Sequence, residues 1–104
     1  MRSDEWKLLL ADEPDNELVR FSFAKALMDE KSWLPAAEQF EILVAQNPDY
    51  AIAWAFLARC LLNAGERERA RDACDLGMPA AKRLNHEVPI EEIESVLEEL
   101  DSEF

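Results

Sequence analysis

The chain is poor in the residues that interrupt regular structure. Its 104 residues include two glycines and five prolines, too few for the many tight turns of an all-β protein. Apolar residues make up 49% and charged residues 33%, which is unlike a disordered chain. The composition therefore predicts one domain built from long helices.

Long apolar runs are also missing. The N-terminal stretch MRSDEWKLLLADEPD holds only three consecutive leucines between charged residues, so it resembles neither a signal peptide nor a membrane span. The two cysteines, Cys60 and Cys74, both fall within helical apolar patterns, which indicates buried reduced thiols rather than a disulfide framework. These features predict a cytoplasmic protein.

Positive charge is scarce. Acids outnumber bases 23 to 11, giving a net charge of -12, and such an excess repels both nucleic acid and an anionic membrane surface. Neither is an expected partner. The charge is also uneven, because residues 59–83 are net positive by two whereas residues 87–104 carry eight acids and no base. We therefore expect the acids of the C-terminal segment to meet the basic segment before it.

Few residues are arranged for chemistry. His86 is the only histidine, and no serine or cysteine nucleophile accompanies it in a recognisable motif. The spacing of Cys60, Cys74 and His86 lacks the paired ligands common in zinc sites, and neither glycine belongs to a phosphate loop. We expect no catalytic residue, no metal and no cofactor, and hence no enzyme.

The chain repeats itself with a period of 34 residues. Pro14 and Pro48 are one period apart, and an aspartate follows each. The same offset aligns residues of similar size or polarity: Trp6 with Phe40 and Cys74, Leu8 with Ile42 and Leu76, Leu10 with Val44 and Met78, Phe23 with Leu57, Ala24 with Ala58, Lys25 with Arg59, Leu27 with Leu61, and Ala36 with Ala70. Such self-similarity indicates stacked units that share one core.

Each period contains two helical patterns separated by a short break. In the first period the apolar spacing predicts a helix over 17–30, after which Ser32 is expected to cap the next helix. In the second period a helix begins at residue 51 and breaks at Gly65, which suits a helix C-terminus because glycine tolerates a left-handed backbone. Four alanines of the alignment are expected where the paired helices approach closely: Ala24, Ala36, Ala58 and Ala70.

This pattern resembles the tetratricopeptide repeat family, in which W-x2-L-G-x2-Y, A-x3-F and P follow one another within 34 residues. The matching residues are Trp54, Leu57 and Ala70 in the second period and Ala36, Phe40 and Pro48 in the first. Arg20 and Lys82 depart from the pattern, standing where a tryptophan and a proline are expected. The resemblance implies an all-α fold of antiparallel helix-turn-helix repeats, stacked as a short right-handed α-solenoid.

The expected domain, 1–104, divides into a half-repeat helix (4–15), repeat 1 (17–50), repeat 2 (51–84) and a capping helix (88–103). The cap's apolar stripe consists of Ile90, Ile93, Leu97, Leu100 and Phe104. The alternatives for this helix are a solvated acidic helix and one that docks into a neighbouring copy. Gly77 and Pro79 are expected to kink or split the second helix of repeat 2.

The resemblance also implies a function, since the first helices of such repeats line a groove that accepts a peptide or an amphipathic helix of a partner protein. The corresponding residues here are Leu18, Phe21, Lys25, Met28 and Asp29 in repeat 1, and Ile52, Ala55, Arg59, Leu62 and Asn63 in repeat 2. Lys25 and Arg59 are one period apart and are expected to favour a carboxylate-bearing partner. For each residue alone, packing between repeats or ordinary exposure is the alternative.

A structural role is the second hypothesis. Two repeats and a half are close to the lower limit of about three repeats for a stable stack, and the N-terminal half-repeat leaves Leu8 and Leu9 uncovered. The chain would then form a homodimer by pairing its incomplete ends.

Overall fold

Six helices follow one another with short connections. The computed structural model describes residues 1–102, and within this range it contains no strand. The helices are α1 (Ser3–Asp12), α2 (Glu17–Asp29), α3 (Trp33–Gln46), α4 (Ala51–Asn63), α5 (Arg67–Arg83) and α6 (Glu87–Ser102). The expected all-α class is confirmed. None of these helices has both the length and the apolar character needed to cross a bilayer.

The helices stack in chain order. Each helix packs against the next along the chain, and α4 also packs against α6. The short turns make consecutive helices antiparallel, so α2, α4 and α6 run in one direction and α1, α3 and α5 in the other. Ala24, Ala36, Ala58 and Ala70 are all fully buried, as expected for sites of close helix approach.

The turn inside each repeat has the same backbone geometry. Gly65 has φ of 85°, and Lys31, one period earlier, has φ of 63°. The amide of Lys31 donates to the Met28 carbonyl at 2.9 Å and that of Gly65 to the Leu62 carbonyl at 3.0 Å. The role predicted for Gly65 is confirmed. Ser32 lies at the N-cap of α3, but its side chain makes no capping bond among the described residues, so that part of the prediction is wrong.

Arg20 and Trp54 occupy the same repeat position and make the same kind of hydrogen bond. The Trp54 indole Nε1 donates to the Pro48 carbonyl at 2.8 Å, and Arg20 Nη2 donates to the Pro14 carbonyl at 3.0 Å. Both acceptors lie in the turn before the helix, and they too are one period apart. The departure from the family pattern at Arg20 therefore keeps the contact that fixes this turn.

Helix α5 is continuous through Gly77 and Pro79 as far as Arg83, so the prediction that it splits is wrong. Gly77 is buried, and a Cβ atom added there would lie 2.5 Å from the Trp54 Cβ. Because Lys82 stands in place of a proline, α5 continues past the repeat position at which α3 ends. The chain then turns at Asn85, which has φ of 54°.

Helix α6 packs on both helices of repeat 2. Its buried residues are Pro89, Ile93, Val96 and Leu100, which excludes a wholly solvated helix. It begins at Glu87, one residue earlier than expected. Residues 103 and 104, the latter part of the predicted apolar stripe, lie outside the described residues. At the other end α1 finishes at Asp12, so residues 13–15 belong to the turn.

Candidate functional site

A row of aliphatic side chains lies at the N-terminal ends of α2, α4 and α6. Leu18, Ile52 and Val88 are each the second residue of their helix. The exposed fraction is 70% for Leu18 and 66% for Val88, while Ile52 is partly buried. Ile52 and Val88 line one shallow apolar crevice with residues 85–87 and Pro89. We call the exposed surface around this row the α2/α4/α6 face.

An aromatic cluster lies next to this row. The Phe21 ring stacks on Tyr50 with centroids 5.5 Å apart, and it lies 6.1 Å from Phe56 and 5.8 Å from Phe40. Burial, together with the charge of Glu17, raises the pKa of Tyr50, so its hydroxyl stays neutral at physiological pH. Phe21 thus belongs to a cluster of four aromatic rings, in contact with Phe40, Tyr50 and Phe56.

Lys25 already has a partner within its own helix. Its Nζ lies 2.7 Å from the Asp29 carboxylate and 5.8 Å from the centre of the Phe56 ring. The two polar groove residues expected in repeat 1 therefore neutralise each other. The side chains of both remain partly exposed.

Arg59 is held by α6. Its Nε donates to Glu92 at 2.9 Å and its Nη2 to the Ser95 hydroxyl at 3.1 Å, while its Nη1 donates to Glu99. Only 16% of the side chain is exposed. The expectation that Arg59 offers a free cation to a partner is therefore wrong, because the chain's own acidic helix uses it.

Two further contacts join α5 to α6. Arg71 Nη2 lies 2.8 Å from the Asp101 carboxylate, and Arg67 Nη2 donates to the Leu100 carbonyl at 2.7 Å. Together with the Arg59 contacts, they confirm that the acidic C-terminal segment meets the basic segment before it. The uneven charge of the sequence thus reflects an internal interface.

The other predicted groove residues fall into two groups. Ala55 is fully buried, so the prediction that it lines an open groove is wrong. It is one helical turn from Arg59 and shares its face. Met28 and Leu62 are partly buried against the core, and Asn63 is exposed. The ten residues therefore do not line one continuous groove, because α6 closes the face of α4 that bears Ala55 and Arg59.

Sequence reasoning missed Val88 and the aromatic partners Tyr50 and Phe56 as parts of this face. Val88 follows Ile52 by 36 residues rather than 34, because α5 extends beyond the length that the period predicts. The sequence signal that could have identified Val88 is its position near the start of a helix, shortly after the break at Asn85.

The opposite side of the stack carries a second aliphatic row. Leu8, Ile42 and Leu76 are one period apart, with exposed fractions of 72%, 37% and 61%. A crevice of about 330 Å³ beside Leu76 has an apolar floor that includes Trp54 and Leu57. The Arg69 to Glu41 ion pair, with 2.5 Å between the atoms, crosses its rim. A similar crevice lies one period earlier, between α1 and α3.

The titratable groups provide little for chemistry. Burial raises the pKa of the Cys60 thiol to about 12 and that of Cys74 to about 11, so both are neutral thiols and poor nucleophiles near pH 7. Within residues 1–102, no three histidine, cysteine or carboxylate side chains converge on a possible metal position.

These features define a helical-repeat protein with an aliphatic row on each side of the stack. The profile of the tetratricopeptide repeat family matches residues 27–85, and the chain belongs to this family. It is 31% identical over 93 residues to the TPR repeat-containing protein PA0015 of Pseudomonas aeruginosa, with 89% of each chain covered.

Solved structures agree with this assignment. Protein BPP2914 from Bordetella parapertussis superposes with a TM-score of 0.79 at 26% identity, covering 95% of this chain and 86% of that one. The tetratricopeptide repeat domain protein from Salinibacter ruber superposes at 0.73 with 18% identity, covering 84% and 98%. The latter likeness concerns the fold alone. Domains of this family are in general protein–protein interaction modules and non-enzymatic scaffolds.

Proposed function

We propose that the α2/α4/α6 face binds a peptide or amphipathic helix of a partner protein. The observation that carries this proposal is the aliphatic row of exposed Leu18, partly buried Ile52 and exposed Val88, which lies beside the aromatic cluster around Phe21. Transferring apolar surface out of water contributes roughly 25 cal/mol per Å². A partner that covers this row gains affinity without reorganising the core.

The spacing of the row suits a regular partner segment. Helices α4 and α6 pack together, and packed helices lie roughly 8–10 Å apart, so Ile52 and Val88 are expected at an interval of about that size. A helix returns to the same face every seven residues, or about 10.5 Å. A partner helix lying across α4 and α6 would therefore place apolar side chains two turns apart on Ile52 and Val88.

Homodimerisation through the N-terminal half-repeat is the alternative, and one observation favours it. Helix α1 contains no buried residue in the described part of the chain, and Leu8 and Leu9 are exposed. The net charge of -12 on each copy opposes self-association. Light scattering across a concentration range tests this role, since a monomer at every concentration contradicts it.

A peptide-display selection on the full chain tests whether the α2/α4/α6 face binds peptides. We expect the selected peptides to lose binding when Leu18→Ser and Val88→Ser are combined. The matched control combines Leu8→Ser and Leu76→Ser, because these leucines are similarly exposed but lie on the opposite side. If both double variants bind the peptides like the unaltered chain, or if only the control loses binding, the α2/α4/α6 face is not the binding site.

A further inference from the structure

The two cations expected to attract a partner, Lys25 and Arg59, are already neutralised by the chain itself. Lys25 is paired with Asp29 at 2.7 Å. Arg59 is paired with both Glu92 and Glu99, so this cluster of three side chains keeps one net negative charge. A carboxylate-bearing partner would have to displace an existing acid in order to reach either cation.

The exposed side of α6, beside the face that contacts α4, adds further negative charge. Glu92 and Glu99 identify this face, because both contact Arg59 of α4. Glu91 and Glu98 each precede one of them and are themselves seven residues apart, so they form a second stripe, which lies about 100° further around the helix. Both are exposed, and neither forms a salt bridge within residues 1–102. No base occurs between residues 87 and 104.

Helix α6 also carries Val88, the last residue of the aliphatic row. Val88 precedes Glu91 by three residues and Glu92 by four, so it lies one turn away on the same side of the helix. Apolar and acidic side chains are therefore adjacent on a surface about two to three turns long. Charge complementarity at such a surface favours a positively charged partner and slows the association of a negatively charged one.

We infer that the segment bound at the α2/α4/α6 face is basic, with apolar side chains for the row at Val88 and cations for Glu91 and Glu98. This inference rests on the proposed function and specifies the partner's chemistry. An acidic segment meets an excess of carboxylates, and a second copy of this chain brings a net charge of -12. A cationic amphipathic helix or a basic extended peptide satisfies both features of the surface.

The test uses a random peptide library displayed against the full chain. We expect the bound peptides to be enriched in lysine and arginine relative to the library and depleted in acids. The best peptide is then synthesised and titrated against the double variant Glu91→Gln and Glu98→Gln. Exposed ion pairs are individually weak, so losing two of them is expected to reduce affinity about three- to tenfold.

The matched control is the double variant Glu38→Gln and Asp75→Asn, which removes two exposed carboxylates from α3 and α5. We expect it to change affinity less than about twofold, because these sites lie away from the bound segment and are screened. An equal loss in both variants would mean that only net charge matters, and would overturn the inference.

Two other outcomes separate the inference from the proposed function. Peptides that are neutral or acidic, yet lose binding in the Leu18→Ser and Val88→Ser variant, would leave the binding face intact and refute the basic partner. Peptides whose binding ignores that variant would refute the proposed function, and the inference with it.

Discussion

Gly77 lies at a close contact between the two helices of repeat 2, and replacing it with alanine should destabilise the protein. A Cβ atom at this position would lie 2.5 Å from the Trp54 Cβ and 3.0 Å from its Cγ. It would also lie 3.3 Å from the Ile93 Cδ1 of α6. Favourable carbon contacts occur at about 3.5–4.0 Å, so α5 must move away from α4 by roughly 1 Å.

Two opposing terms set the size of the effect. Alanine is favoured over glycine inside a helix by about 1 kcal/mol. Overpacking costs typically 1–3 kcal/mol, and the upper part of that range applies because the Trp54 Cβ is fixed to the backbone. Its indole is also held by the hydrogen bond to the Pro48 carbonyl. We expect Gly77→Ala to lower the free energy of unfolding by about 1–2 kcal/mol.

Urea denaturation followed by circular dichroism at 222 nm measures this change. A loss of this size corresponds to a fall in Tm of roughly 5–15 °C for a domain of this length. Gly65→Ala is the comparison, because no described atom lies within 4 Å of the added Cβ there. It strains only the local backbone at φ of 85°, at a cost of roughly 1 kcal/mol.

The two glycine variants differ in what they disturb. We expect Gly77→Ala to change the near-ultraviolet circular dichroism, to which Trp54 contributes, whereas Gly65→Ala leaves it unaltered. If Gly77→Ala stabilised the protein by the full helix-propensity gain, α4 and α5 would have to be further apart than described, and the explanation of this glycine would be wrong.

Three further predictions concern the turns, the repeat position of Trp54 and the cysteines. Lys31→Gly should raise the free energy of unfolding by up to about 1 kcal/mol in urea titrations, because its φ of 63° is unfavourable for a side chain; a loss of stability would contradict this. Trp54→Phe should lower the free energy of unfolding by at least about 0.5–1.5 kcal/mol, since the hydrogen bond to the Pro48 carbonyl is lost. An unchanged urea midpoint would show that this bond contributes nothing. Burial raises the pKa of Cys60 to about 12 and that of Cys74 to about 11, so above pH 9 the unfolded chain loses thiol protons that the folded chain keeps, and stability falls as the pH rises. The variant with Cys60→Ala and Cys74→Ala should show a shallower fall in unfolding midpoint between pH 8 and 10.5, and equal slopes would refute this explanation.

The repeats and their turns were predictable because their signals are local. The break at Gly65 and the apolar spacing of each helix follow from a few neighbouring positions, and the 34-residue offset follows from comparing the chain with itself. The capping role of α6 was also predictable, since its apolar stripe and its acidic excess both pointed to an interface with repeat 2. The ion pair between Arg71 and Asp101 is one contact of this interface.

The binding face was only partly predictable, because it depends on where α6 packs. Arg59 repeats the position of Lys25, yet its partners lie 33 to 40 residues further along the chain. No local pattern fixes which cation a capping helix will cover. The course of α5 was mispredicted for a similar reason. Pro79 removes one backbone donor, but packing between α4 and α6 holds the helix together.

The shared hydrogen bond of Arg20 and Trp54 changes how this repeat position should be recognised. An indole and a guanidinium differ in shape, charge and apolar area, and a comparison of residue types scores them as unrelated. Each nevertheless reaches back six residues to the carbonyl of the preceding proline. In this chain the position is defined by a long side chain that ends in an N–H group, so degenerate repeats like the first one are better sought by donor reach than by amino-acid identity.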